Sequence, residues 1–189
     1  MQGLASRAQL AAVGGVTMIH LRLRDESPRT LVQVARSLRA TVPDIPLIVS
    51  ARADVAMAAG AQGVHLGPDD VPTMTLRRIV PSDFVIGVSV GDDSEVASAV
   101  GADYVAIGPV FGVGGTGGGG TAIGIARFSD LARQCGVPAV AIGGVSAGNA
   151  GAIMRAGASG VAVISALFAA SDPTQAARAL RAGQDAIES

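Results

Sequence analysis

Four stretches of this chain say nearly the same thing: AAVGGVTMIHL (11–21), MAAGAQGVHLG (57–67), AVGADYVAIG (99–108) and RAGASGVAVIS (155–165). Each passes from an alanine-rich segment of helical character, through a glycine, into a short apolar run. Gly14, Gly60, Gly101 and Gly157 stand where a helix C-terminus favours a residue with positive φ. Between the copies lie PLIVS (46–50), DFVIGVS (83–89) and VPAVAIGG (137–144), short β-branched runs entered through turn residues. Strand and helix therefore alternate along the whole chain. Seven strands are expected, at 16–22, 46–50, 62–66, 84–89, 103–108, 138–143 and 160–165. Runs apolar on both faces, each followed by a helix, point to a parallel sheet covered by helices. The near-uniform repeat, with no GxGxxG after the first strand, favours an α/β fold of the (β/α) barrel type over an open doubly wound sheet. A barrel wants eight strands. Because the chain opens with a helical segment, LASRAQLAAV (4–13), the strand expected to be missing is the first. The unpaired edges of 16–22 and 160–165 would then invite an upstream strand or a second copy of the chain.

With 189 residues, 49% of them hydrophobic and 15% charged, the chain is sized for a single well-cored domain over 1–189. Its net charge of −1, with basic residues scattered among acids, supplies no stripe for nucleic acid. Apolar runs are too short for a membrane span, and no signal pattern opens the chain, so a soluble cytoplasmic protein is expected. One cysteine, Cys135, precludes an intrachain disulfide, and two histidines leave little for a zinc site; a metal here would be a hard, oxygen-liganded ion such as magnesium. All fourteen basic side chains are arginine, so Schiff-base chemistry, which needs a lysine amine, is excluded. Phosphate recognition by arginine or backbone N–H stays open.

In a barrel of this kind the chemistry sits at the C-terminal ends of the strands. The residues there are His20, Arg22 and Arg24; Ser50 and Arg52; His65, Asp69 and Asp70; Ser89; Gly143 and Gly144; and Ser165. AIGGV and the first turn of SALFAA occupy the place where many barrels bind phosphate through backbone N–H groups. The glycine-rich segment FGVGGTGGGGTAIG (111–124) can form an anion nest or stay loose. His20 suits acid–base work or a satisfied structural role equally well. His65 reads as structural, Asp70 as a metal ligand or, with Asp69, a helix-capping pair, and Cys135 as structural.

Taken in order, HLRLRD (20–25), IVSARADVAMAAGAQGVHLGPDD (48–70), IGVSV (86–90), ADYVAIGPVF (102–111), VPAVAIGGV (137–145) and GVAVISALF (160–168) resemble the thiamine phosphate synthase family and its thiazole tautomerase paralogue. The resemblance runs from about residue 8 to 182. It implies a small phosphorylated thiazole or pyrimidine ligand and magnesium that eases the departure of pyrophosphate. It also implies catalytic roles for His20, Arg22 and Arg24, substrate or phosphate contacts at Arg52, Ser89, Gly143, Gly144 and Ser165, and a metal ligand at Asp70. The chain departs from the synthase pattern at Ala51, which stands where a second metal-binding aspartate would be, and in the glycine segment, where Thr116 or a neighbouring glycine replaces a pyrophosphate-contacting lysine. Asp54 could substitute for the aspartate only if the backbone shifted. The acid–base histidine of the tautomerase falls at Pro109, which has no transferable proton. The reading this supports is a tautomerase-like paralogue that binds a thiazole phosphate with an impaired catalytic set and an incomplete magnesium site. Active synthase and noncatalytic phosphate-binding barrel are the alternatives.

Overall fold

The computed structural model describes residues 2–112 and 121–185. Residues 113–120, with Thr116 and most of the expected pyrophosphate lid, lie outside the described residues. Seven parallel strands form one sheet in simple chain order: β1 (Ile19–Leu21), β2 (Leu47–Ser50), β3 (Gly63–Leu66), β4 (Val85–Val90), β5 (Tyr104–Ile107), β6 (Ala139–Ile142) and β7 (Gly160–Ala162). Six of the seven fall inside the expected ranges, and β4 runs one residue past its expected end, to Val90. Helices α1 (Gln2–Val13), α2 (Pro28–Thr41), α3 (Ala53–Ala59), α4 (Thr73–Arg77), α5 (Gly124–Cys135), α6 (Ala147–Arg155), α7 (Ser165–Phe168) and α8 (Pro173–Asp185) connect and follow the strands, with a 3-10 segment over Asp93–Ala99 between β4 and β5. The sheet is a curled barrel one strand short of closure, with β1 and β7 as its edges.

The helix ends follow local chemistry. Ser27 caps α2 by accepting from the N–H of Thr30, with Pro28 in the first turn, where a missing N–H does no harm. Gly60 (φ 70°) and Gly136 (φ 66°) end α3 and α5 in the left-handed region. At α1 the expectation is off by one residue: the positive φ belongs to Gly15 (100°), not Gly14. Gly14 is needed for a different reason. A Cβ there would come within 2.5 Å of both Ala177 and the carbonyl of Thr174, so its absence lets α1 lie directly on α8.

That contact closes the helical layer although the strands stay open. α1 packs against α2 on one side and α8 on the other. Thr174 donates to the carbonyl of Leu10, and Arg7 donates to the carbonyls of Leu167 and Ala170 beyond the end of α7. A small apolar cluster of Ala11, Leu167, Ala177 and Leu180 fills this seam.

The two faces of the sheet differ. Outward-pointing Leu47, Val49, Val64, Leu66, Ile86, Val88, Val90, Val105 and Ile107 are essentially buried under the helices and make up most of the core. The inward face was expected to be equally apolar. Instead its middle is polar, because register places Ser50, His65, Gly87 and Tyr104 side by side across β2 to β5. In a parallel sheet, residues in register point the same way.

Candidate functional site

The polar row is bonded as a network. His65 Nδ1 lies 3.0 Å from the hydroxyl of Tyr104, and its Nε2 lies 3.0 Å from Ser89 Oγ, two residues beyond Gly87 on β4. His20, on β1, meets Ser50 Oγ through Nε2 at 2.7 Å, and its ring lies 4.9 Å from that of His65, centre to centre. Each histidine thus pairs with a serine at the end of the next strand. Gly87 is what lets Tyr104 take part. A side chain at Gly87 would overlap the phenol ring, which lies across β4 to reach β3.

Both imidazoles are held neutral. Burial pushes the pKa of His65 down to about 3, and repulsion from His20, whenever that ring is protonated, and from Arg22 acts in the same direction. His20 is pushed down to about 4, first by the protein packed around it and then by Arg22. Its ring nevertheless keeps an exposed edge toward the open side of the barrel, where water screens part of that effect. Burial also holds the Tyr104 phenol above its ordinary value. At neutral pH the row is therefore uncharged, and Arg22, close enough to act on both histidines, supplies positive charge beside it, with Arg24 two residues further along the chain. Both arginines are exposed, and neither forms an ion pair among the described residues.

Arg52, expected to contact phosphate, is occupied in this structure. It grips Asp54 two residues on through Nε (2.8 Å) and Nη2 (2.5 Å), which also ties up the carboxylate offered as a substitute for the missing aspartate. Asp70 spends Oδ2 on the N–H of Gly67 at 2.7 Å, closing the turn after β3, and Asp69 is exposed beside it. No group of three His, Cys, Asp or Glu side chains able to hold a metal exists among the described residues. One free carboxylate oxygen on Asp70 does not fit a magnesium ion held by the protein alone, since that ion demands a nearly complete octahedron of oxygens.

Ala51 carries a backbone signature at this point. Its φ is 62°, its N–H donates to the carbonyl of His65 at 2.8 Å, and the N–H of Arg52 turns back to the carbonyl of Ser50 at 2.7 Å. Such a three-residue turn with positive φ is strained for alanine and better tolerated by aspartate or asparagine.

On the other side of the opening the backbone does the work. Gly143 (φ 85°) and Gly144 (φ 70°) follow β6, and Asn149 clamps the turn by accepting from the N–H of Ser146 and donating to the carbonyl of Gly144. The N–H groups of Gly144 and Val145 meet no protein acceptor among the described residues. A Cβ at Gly143 would overlap Pro109, and one at Gly144 would come within 2.7 Å of Phe111 Cβ. Phe111 N–H donates to the carbonyl of Gly143, while Ile123 and Gly124 N–H groups return to the carbonyls of Pro109 and Val110. One described end of the glycine-rich segment is thus anchored on Gly143, and the other on Pro109 and Val110. Ser165 begins α7, exposed, after β7.

Sequence reasoning missed Tyr104, Gly87 and Asn149. For Gly87 the available signal was period two, which puts it with Ser89 on one face of β4.

The model of the family described as thiamine monophosphate synthase matches residues 2–167. This chain belongs to that family. A thiamine-phosphate synthase of Azorhizobium caulinodans is 46% identical over 184 residues, covering 95% of this chain and 87% of the relative. One from Methanoculleus marisnigri is 46% identical over 178 residues, covering 92% and 84%. The structure of a thiamine phosphate pyrophosphorylase from Pyrococcus furiosus superposes with a TM-score of 0.87 at 32% identity, covering 98% of this chain and 91% of its own. A 3-hexulose-6-phosphate synthase, at 22% identity and a TM-score of 0.71, shares the fold.

Proposed function

We propose that this barrel works as a thiamine-phosphate synthase of reduced rate, joining an aminopyrimidine methyl diphosphate to a thiazole phosphate with release of pyrophosphate. The observation that carries it is the pair of anion-ready features at strand C-terminal ends: Arg22 just after β1 with the Ser89 hydroxyl on β4, and a backbone turn with unpaired N–H groups after β6. In this reading Gly144 and Val145 N–H groups, with Ser165, hold the thiazole phosphate. When the bond between the pyrimidine methylene and the diphosphate breaks, negative charge grows on the leaving oxygens, and Arg22 and Arg24 oppose it. Asp70 is the one carboxylate here that could meet a magnesium ion carried in by the diphosphate, which would supply further positive charge. His20 and His65, held neutral, orient hydroxyls rather than carry charge.

The relatives named synthase, at 46% identity, support this reading over the tautomerase-like one drawn from His20. Pro109, packed on Gly143 at the position of the tautomerase histidine, argues the same way.

The test is pyrophosphate release from the two substrates with magnesium. Turnover is expected above background but below about 1 s⁻¹, the lower end of ordinary enzymes. Ala51→Asp, which returns a carboxylate to a turn whose φ already suits it, is expected to raise the rate on the order of a hundredfold. Release at background in both proteins would overturn synthase activity and leave a noncatalytic phosphate binder.

A further inference from the structure

The hydrogen bonds around His65 have a direction that can be worked out from their ends. His65 is neutral at pH 7, so one ring nitrogen donates and the other accepts. Tyr104 also stays protonated, and its hydroxyl has His65 Nδ1 as its sole partner among the described residues. If Nδ1 carried the proton, the phenol would accept from it, and its own O–H would be left without an acceptor in a site that costs free energy to leave unpaired. Tyr104 therefore donates to Nδ1. The proton of His65 then sits on Nε2 and is donated to Ser89 Oγ. With one lone pair so occupied, the O–H of Ser89 is free to point away from the ring. Ser89 is half-buried at the C-terminal end of β4, and His65 is its sole partner among the described residues.

We propose that Tyr104 and His65 are positioning residues that fix Ser89 as a hydrogen-bond donor toward the opening, aimed at an anionic oxygen of the diphosphate. The relay depends on Gly87, because only a residue without a side chain lets the phenol cross β4 in register with His65. Without Tyr104 the imidazole can flip its tautomer at little cost. Ser89 would then donate into the ring and present only lone pairs, which repel an anion. The donor direction of Ser89 rests on hydrogen bonding alone; its use by the diphosphate rests on the function proposed above.

Long-range ¹H–¹⁵N spectra of the imidazoles at pH 7.5, together with titration by inorganic pyrophosphate, test both halves. Wild type is expected to show His65 as the Nε2–H tautomer, and Tyr104→Phe, which keeps the ring and removes the hydroxyl, to show the Nδ1–H tautomer or a mixture. Tyr104→Phe and Ser89→Ala should each weaken pyrophosphate binding about tenfold, the order of one good hydrogen bond to a charged group, and the double variant should be little worse than either single one, because both remove one contact. Gly87→Ala should reproduce the tautomer change with every polar group retained. An Nδ1–H tautomer in wild type, or a tautomer that Tyr104→Phe leaves unchanged, overturns the relay. Additive losses overturn the coupling of Tyr104 to Ser89. The expected tautomers with no pyrophosphate binding in wild type overturn the diphosphate role of Ser89 and the proposed function, while the hydrogen-bond direction stands.

Discussion

The two sides of the opening are built from different materials. Along β1 to β5 the groups that face inward are side chains, His20, Ser50, His65, Ser89 and Tyr104, linked by hydrogen bonds between strands. After β6 they are backbone N–H groups, set by two left-handed glycines that have no room for a Cβ. A side-chain site can lose one member and keep its backbone, as at Ala51, where the positive φ persists without the carboxylate. The glycine turn has no such freedom, since changing a residue there moves the loop that rests on it. In the proposed function, phosphate holding on the β6 side should therefore be the sturdier part, and the rate of chemistry on the β1–β5 side the adjustable part.

The comparison breaks most visibly at Gly143. Gly143→Ala adds a left-handed alanine and an overlap with Pro109, so a loss of about 3 kcal/mol or more is expected in urea unfolding. Gly157→Ala is the control. Its φ of 98° is just as unfavourable for alanine, but no atom lies within 4 Å of the added Cβ, and the expected loss is about 1–2 kcal/mol. Equal losses at the two sites would show that the 109–112 segment yields easily, and the claim that this side is rigid would fall.

Much of this division is legible in the sequence, for identifiable reasons. The repeat of alanine-rich helix, glycine and apolar run marks all seven strands because every unit must bury the same outward face, and that face is wholly aliphatic. The turn after β6 shows because paired glycines directly after a strand mark a backbone that needs positive φ. Tyr104 does not show. It opens its strand, embedded in ADYVAIG, where it reads as one more apolar residue, and its partner is decided by a register across β3, β4 and β5 that no local pattern encodes. Arg52 likewise looks available for phosphate until Asp54, two positions on, is found gripping it. Gly14 illustrates the same limit: its need comes from α8, more than 150 residues away in sequence.

Acid should separate the two sides next. His65 and His20 have folded pKa values near 3 and 4, below the ordinary 6.5, so the folded state binds fewer protons than the unfolded chain. Stability is therefore full above pH 6.5 and falls as the pH drops from there toward 4, at about 1.4 kcal/mol per pH unit for each histidine that stays fully neutral. His65 should approach that slope, while His20, with its exposed edge, contributes less. Urea midpoints between pH 7.5 and 4.5 should show this decline, and His65→Gln should remove more of it than His20→Gln. The backbone N–H groups proposed to hold phosphate do not titrate at these pH values, so a change in affinity for thiazole phosphate between pH 7.5 and 6 should follow the second ionisation of the ligand's own phosphate, at about 6, and should be the same in the His→Gln variants. A steep stability loss that survives in the double His→Gln variant would place the acid-sensitive groups elsewhere.

The smallest effect concerns Arg52, which belongs to the side-chain half but is turned to a local partner. The pair with Asp54 is exposed, with 41% and 64% of the two side chains accessible, so water and salt screen it and Asp54→Asn should leave the melting temperature nearly unchanged. Its consequence lies in availability. The pair holds the guanidinium to a carboxylate on its own helix turn, and any anion arriving at the end of β2 must compete with that carboxylate. Removing the charge of Asp54 should release Arg52 and strengthen binding of inorganic pyrophosphate by about two- to fivefold, the scale on which an exposed ion pair is worth breaking. Arg52→Gln should then lie at or slightly below wild type, because an arginine already neutralised contributes little to remove. The gain from Asp54→Asn should also shrink between 50 and 300 mM salt, as it does for exposed charges separated by a shortening Debye length. If Asp54→Asn instead weakens pyrophosphate binding, the pair is a device that aims Arg52 rather than one that withholds it. Arg52 would then count with Arg22 among the groups that meet the leaving diphosphate.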